Sequence, residues 1–163
     1  MVTLRNTRIE DADIIYQEIG CNQEMLNYTG WNPYNTLEST KEFILDRINS
    51  NDSYSWVIKD DNTIVGIIGA YDFDPIDQSI EIGYSIFQRY WSKGYATKAV
   101  DLACDQLEKS VQTIKAWSAL DNIASRKVLE NNGFQKSEVI ESAINVEGKL
   151  YDQVIYERHN KNI

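Results

Sequence analysis

Between residues 80 and 103 the hydrophobic period changes from two to nearly four, and one glycine marks the change. The stretch SIEIGYSIF, residues 79–87, alternates apolar and polar side chains as a half-buried strand does. From Gly94 onward Ala96, Ala99, Val100, Ala103 and Leu107 recur at helical spacing, with Lys98, Asp101, Asp105 and Glu108 on the other side. The chain must therefore leave a strand, cross the short loop 89–93 and enter a helix that begins at a glycine. The first turn of a helix leaves backbone N–H groups without partners, and its dipole adds positive potential there. A glycine at that point lets a phosphate approach the backbone, and Lys93 adds charge beside it. The junction is thus a candidate anion site. By spacing alone, a glycine that only permits a turn is the simpler account. Neither G-x-x-x-x-G-K-[ST] nor G-x-G-x-x-G occurs.

The flanking segments alternate in type. Residues 2–8 suggest a first strand. The acidic cluster Glu10, Asp11, Asp13 opens a helix carrying Ile14, Ile15 and Ile19. A second helix is expected over 37–48, with Thr36 or Ser39 as its cap. Residues 54–59 and 63–71 are β-branched and aromatic and read as a hairpin around Asp60-Asp61-Asn62. Asp72-Phe73-Asp74-Pro75 is expected to break the sheet. Residues 113–119 form a strand, Asn122 caps a helix that stops at Gly133, and 139–144 and 150–156 form a last strand pair. With no repeat and no Gly/Ser linker, residues 1–163 read as one α/β (α+β) domain with helices packed on a mixed sheet.

Charge and cysteine usage narrow the partners. Sixteen Lys and Arg against 25 Asp and Glu give a formal charge of -9. A nucleic-acid partner is therefore not expected, whereas a cationic or amine-bearing ligand is compatible with the balance; an acidic surface serving solubility accounts for it too. Cys21 and Cys104 lie far apart and form neither a zinc quartet nor a disulfide framework. The single histidine, His159, argues against histidine triads and histidine-rich metal sites. No basic-then-apolar leader and no run of 18 apolar residues is visible, so a cytoplasmic protein without a membrane span is expected.

The segment YWSKGYATKAVDLACDQL resembles the cofactor-binding motif of the GCN5-related N-acetyltransferases, GNAT, and is especially similar to their RimJ/RimL-like branch. In the motif Q/R-x-x-G-x-G/A, Trp91 takes the Q/R position, Gly94 the first glycine and Ala96 the last place. Ser92 stands where that branch commonly has another glycine. ALDNIASRKVLENNGF resembles the family's later motif, with Asn122, Ser125 and Gly133-Phe134. The opening TLRNTRIEDAD and the closing LYDQVIYER are also similar to the family's ends, so the resemblance runs nearly the whole chain.

The resemblance implies a mostly antiparallel sheet of six or seven strands, splayed at its centre, with about four helices. It implies acetyl-CoA as co-substrate, no metal, and direct attack by a primary amine on a small molecule or a protein N-terminus. The pantetheine arm would lie along the strand edge near Ile86 and Phe87, and the diphosphate against Ser92, Lys93, Gly94, Tyr95, Ala96 and Thr97. A strand N–H would stabilise the oxyanion. Glu81 is the candidate base, with a solvated or paired strand residue as the alternative. Asp72 and Asp74 are weaker candidates. The tyrosine that many members place four residues before the second motif's glycine is replaced by Leu129. Ser125 is the candidate acid and a cofactor contact, Asn122 a cofactor contact or helix cap. Tyr28, Trp31 and Tyr34 in the first long loop, together with Tyr84, are candidates for the acceptor pocket or for plain packing. Members are often dimers, which makes a homodimer the partner to test. The competing expectation is a non-catalytic acyl-CoA-binding or interaction module on the same fold.

Overall fold

Residues 54–86 supply the central strands because their β-branched and aromatic side chains suit a pleated, half-buried surface. The structure, a computed structural model, describes residues 1–26 and 32–160. In chain order the elements are β1 (Val2–Asn6), α1 (Ala12–Ile15), α2 (Leu37–Asn49), β2 (Tyr54–Asp60), β3 (Thr63–Asp74), β4 (Ser79–Ile86), α3 (Tyr95–Leu107), β5 (Thr113–Ala119), α4 (Ile123–Asn131), β6 (Gln135–Val146) and β7 (Lys149–His159). The strands form one seven-stranded sheet, ordered β1-β2-β3-β4-β5-β7-β6. Every neighbouring pair is antiparallel except β4–β5.

The sheet carries helices on both faces. On one face α3 buries Ala99, Val100, Ala103, Cys104 and Leu107 against Ile80, Ile82 and Ile86 of β4 and Ile114 and Ala116 of β5. On the other, Ala12 and Ile15 of α1 and Ile44 of α2 pack with Ile19 and Phe87, and Ile64 and Ile67 of β3 close that cluster. Leu107 is fully buried, so its truncation to alanine costs about 2–5 kcal/mol. Thr36 and Ser39 cap α2 reciprocally: Ser39 N–H donates to Thr36 Oγ1 at 2.9 Å, and Thr36 N–H to Ser39 Oγ at 3.1 Å.

Three expectations need correction. The first helix is not continuous: a 3-10 turn (Ile9–Asp11) precedes α1, and a wider π turn (Tyr16–Gly20) follows it. Gly20 ends it because a Cβ there would collide with the Tyr34 carbonyl oxygen. Second, Asp72-Phe73-Asp74 does not break the sheet. Asp72 takes φ 56, the register shifts, and pairing resumes at Asp74↔Ser79, which is the behaviour of a bulge. Third, the last strands are longer than their apolar patches. β6 is almost wholly exposed and is held by its ladder to β7.

Candidate active site

The one parallel pair is also the weakest seam. β4 and β5 share only Ser79↔Thr113, Ile80↔Ile114 and Glu81↔Lys115. Beyond Glu81, β4 stays on β3 as far as Ile86, while β5 stays on β7 as far as Ala119. The strands diverge, and a cleft of about 750 Å³ opens between them, reaching from Tyr34 and Arg47 past Tyr84 to residues 91–97, Asn122 and Ser125.

Beyond Glu81 the edge of β4 faces this cleft with backbone groups that β5 does not pair. Phe87 N–H donates to the Val65 carbonyl at 2.9 Å. Alternation along an antiparallel ladder then turns the N–H and C=O groups of Ile82, Tyr84 and Ile86 away from β3, toward the splay. The Ile86 carbonyl accepts from Trp91 Nε1 at 2.7 Å, which pins the following loop to the strand end. Phe87 itself does not reach the cleft. Its side chain is fully buried, its N–H is bound to Val65, and its carbonyl accepts from Tyr90 N–H at 2.8 Å. Phe87 thus has neither a side chain nor an unpaired backbone group at the cleft, whereas Ile86 lines it.

The loop then turns into α3. Ser92 has φ 65 and Gly94 φ 80, both left-handed. Ser92 thus holds, at some strain, a conformation that glycine adopts freely. Gly94 is the N-cap of α3 and no side chain caps the helix. Its first N–H groups therefore lack side-chain acceptors. A Cβ on Gly94 would meet nothing within 4 Å, and residues 91–97 line the cleft. Tyr95 contributes backbone only, because its hydroxyl donates to Asp60 Oδ2 at 2.6 Å. Across the cleft, Asn122 Oδ1 accepts from Ser125 N–H at 3.3 Å and caps α4.

Two tyrosines divide the cleft between the sheet's faces. On the α3 face, Tyr84 leans on the main core and its hydroxyl lies 3.0 Å from Ser125 Oγ and 3.3 Å from the Ser125 carbonyl. Burial pushes the Tyr84 phenol up to about 12. Tyr84 therefore joins the Ser125 side of the cleft and not the pocket of Tyr34. On the opposite face, Tyr71 pairs in register with Glu81, and its hydroxyl stands 2.9 Å from where a Cβ on Gly83 would sit. Only a glycine leaves that room. Burial, then the neighbouring Glu81 carboxylate, push the Tyr71 phenol above its ordinary range. Burial also raises the Glu81 carboxyl; the nearby Tyr71 hydroxyl opposes this, Asp72 adds to it, and Lys115 opposes it. Tyr71 lines the cleft and Glu81 stands behind it. Tyr34 lines the same side, with its ring edge-on to Phe43 at 5.5 Å, and burial pushes its phenol up to about 12. Tyr28 and Trp31 lie outside the described residues.

Sequence reasoning missed Tyr71 and Arg47. Tyr71 is one of several strand aromatics, and only the β3–β4 register selects it. Arg47 ends an amphipathic helix and looks solvated in the sequence; packing lays it over the Tyr71 and Phe43 rings.

Comparison with known proteins gives concordant results. The family model for an acetyltransferase (GNAT) domain matches residues 1–135. The uncharacterized N-acetyltransferase p20 of Bacillus licheniformis is 25% identical over 162 residues, covering 95% of this chain and 90% of that protein. The uncharacterized N-acetyltransferase YoaA of Bacillus subtilis is 26% identical over 160 residues, covering 94% and 90%. Among solved structures, spermidine N-acetyltransferase from Vibrio cholerae in complex with CoA and spermine superposes with a TM-score of 0.90 at 20% identity, covering 98% of this chain and 95% of that one. The ribosomal L7/L12 α-N-protein acetyltransferase RimL in complex with CoA gives 0.90 at 19% identity, covering 97% and 93%.

Proposed function

Because the chain belongs to the GNAT acetyltransferase family, we propose that it moves an acetyl group from acetyl-CoA to a primary amine held on the Tyr71 side of the β4–β5 cleft. The observation that carries this reading is the cleft itself, with a β4 edge that β5 leaves unpaired at one end and a helix start without a side-chain cap at the other. Those features fit the co-substrate. Residues 92–97 offer a diphosphate a set of backbone N–H groups, the dipole of α3 and the Lys93 charge. The Ile86 edge and the Asn122 amide suit the two amides of a pantetheine arm.

Acetyl-CoA supplies a thioester, whose leaving thiol has a pKa near that of cysteine, about 8.5. The chain's residues do the rest. A β4 N–H directed into the splay donates to the oxygen that gains charge, a contribution worth about 10²–10³ in rate. The amine arrives mostly protonated, with a pKa near 10 for the lysine type. Tyr71 accepts its proton while passing its own to Glu81, so Glu81 ends protonated and the phenol neutral. As the C–S bond breaks, Ser125, bonded to Tyr84, relays a proton to the departing sulfur and is reprotonated by solvent, while the attacking nitrogen loses its second proton to solvent, leaving the amide and the free thiol.

Similarity to the RimJ/RimL-like branch and to a spermidine enzyme leaves two acceptor classes, protein N-termini and small amines. A reducing, cytoplasmic setting goes with this reading, since Cys21 and Cys104 are both free. The test is release of free CoA thiol from acetyl-CoA by the purified chain against a panel of amines. Turnover with at least one amine supports transfer. Acetyl-CoA binding without turnover on any of them leaves a non-catalytic acyl-CoA-binding module instead.

A further inference from the structure

The α2 wall of the cleft carries a cation that the proposed chemistry does not use. Arg47, half-buried in the last turn of α2, has its guanidinium carbon 4.7 Å from the centre of the Tyr71 ring and 4.9 Å from that of the Phe43 ring. Ring faces hold a guanidinium without consuming its in-plane N–H donors. The other well-anchored arginines are matched. Arg5 pairs with Asp11, Arg89 with Glu18 and Arg158 with Glu108, while Arg126 bonds the Tyr156 hydroxyl and the Leu120 carbonyl. Among the described residues no carboxylate comes within ion-pair distance of Arg47, and the sequence of segment 27–31 contains no acidic residue.

Arg47 and Glu81 use the same tyrosine without meeting. Tyr71 stands opposite Glu81 in the β3–β4 register while its ring face carries Arg47. The charges acting on Glu81 are those of Asp72 and Lys115. Opposite charges thus stand on either side of Tyr71, one behind the pocket floor and one on its wall. Glu24 also lines the cleft, and its carboxylate accepts from Gln88 Nε2 at 2.5 Å. The formal charge of -9 is spread over the surface; beside Tyr71 a bound acceptor meets this local pair. A polyamine would set a second cation against Arg47, and like charges in a half-buried pocket repel strongly.

We infer that the acceptor is itself bipolar: a primary amine with a carboxylate or phosphate a few bonds away, the nitrogen at Tyr71–Glu81 and the acid forked on Arg47. This rests on the acetyl-transfer reading. A guanidinium suits both oxyacids because its donors match two oxygens at once.

The test uses the whole chain with saturating acetyl-CoA and reads free thiol. The acceptors are L-aspartate, phosphoethanolamine, a pentapeptide with an acidic second residue, the same peptide with a neutral second residue, and spermidine. One or more acidic amines should exceed the neutral peptide and spermidine by at least about 10-fold in kcat/KM. The first three arms tell a free acidic amine from a peptide-borne one. Arg47→Gln should raise KM for the favoured acceptor by about 10–100-fold with kcat nearly unchanged, and Arg47→Lys should restore part of it. The calorimetric affinity for acetyl-CoA should not move, which certifies the fold. The N-acetylated favoured acceptor should bind Arg47→Gln more weakly than wild type. Preference for spermidine or the neutral peptide, or an unchanged KM in Arg47→Gln, overturns the inference while leaving acetyl transfer intact. Thiol release in none of the arms overturns the transfer reading, and this inference with it.

Discussion

Replacing Gly83 by alanine separates the Tyr71–Glu81 arrangement from the rest of the fold. The new Cβ would stand 2.9 Å from the Tyr71 hydroxyl oxygen, 3.4 Å from Cε1 and 3.6 Å from Cζ. Ordinary carbon–oxygen contact begins about half an ångström farther out. The phenol must therefore move by roughly 0.5 Å, away from the floor of β4. Arg47 on its ring face resists the move, so the displacement changes how the hydroxyl stands to Glu81. The backbone itself accepts alanine, because Gly83 lies in regular β-strand pairing with Gly69. Removing a strand glycine gains about 0.5–1 kcal/mol, and mild overpacking costs about 1–3 kcal/mol. The net stability change should stay within about 2.5 kcal/mol. Misplacement of a catalytic group by about 1 Å costs as much as 10²-fold, so half that distance predicts a loss near 10-fold in kcat. Steady-state thiol release at saturating acetyl-CoA measures it, with thermal unfolding as the control. An unchanged kcat in a folded Gly83→Ala protein would refute the reasoning that puts Tyr71 between the amine and its base.

The other predictions are briefer. Glu81→Gln should lower kcat by about 10²–10⁴ and remove the acidic limb of the pH profile, which burial places above the ordinary carboxylate range. The stability effect has the opposite sign: the folded pKa exceeds the unfolded one, so stability from this group is present below the unfolded pKa and lost as pH rises through the folded value. Glu81→Gln should therefore unfold no earlier than wild type at pH 8, as a melting curve will tell. Ser92→Gly should raise stability by up to about 1 kcal/mol by relieving its left-handed backbone, without weakening acetyl-CoA binding; a clear drop in melting temperature would contradict it. Ser125→Ala should lower kcat more than it lowers acetyl-CoA affinity, and Tyr84→Phe should reproduce part of that loss. Equal rates in all three proteins would remove the hydroxyl pair from the chemistry.

The parts of this molecule that were legible in sequence are those set by local periodicity. The alternation in β4, the apolar stripe of α3 and the glycine between them report the strand–turn–helix unit directly. The uncapped helix start follows from Gly94, since glycine has no side chain to cap with. Where local chemistry and pairing disagree, pairing wins. Asp72 and Asp74 carry turn residues' preferences, yet β3 absorbs them as a bulge because β4 supplies the partners beyond. The exposed β6 has little apolar period to read, and β7 alone defines it. The site divides the same way. Ile86, Gly94 and Ser125 follow from motif order along the chain. The Phe87 N–H turns to β3 and not to the cleft, because one residue of register decides which way an N–H faces. Tyr71 meets Glu81 only through a hairpin register, and Arg47 only through the seating of α2 on the sheet, so neither carries a local signal.

The account's central claim is that the splay between β4 and β5 receives the thioester arm and the start of α3 receives the diphosphate. A crystal structure of the chain with acetyl-CoA measures this directly. The account predicts diphosphate oxygens within hydrogen-bond distance of N–H groups in residues 92–97, and the acetyl carbonyl beside β4 between Tyr71 and Ser125. Acetyl-CoA bound elsewhere, with the splay filled by protein side chains, would contradict it.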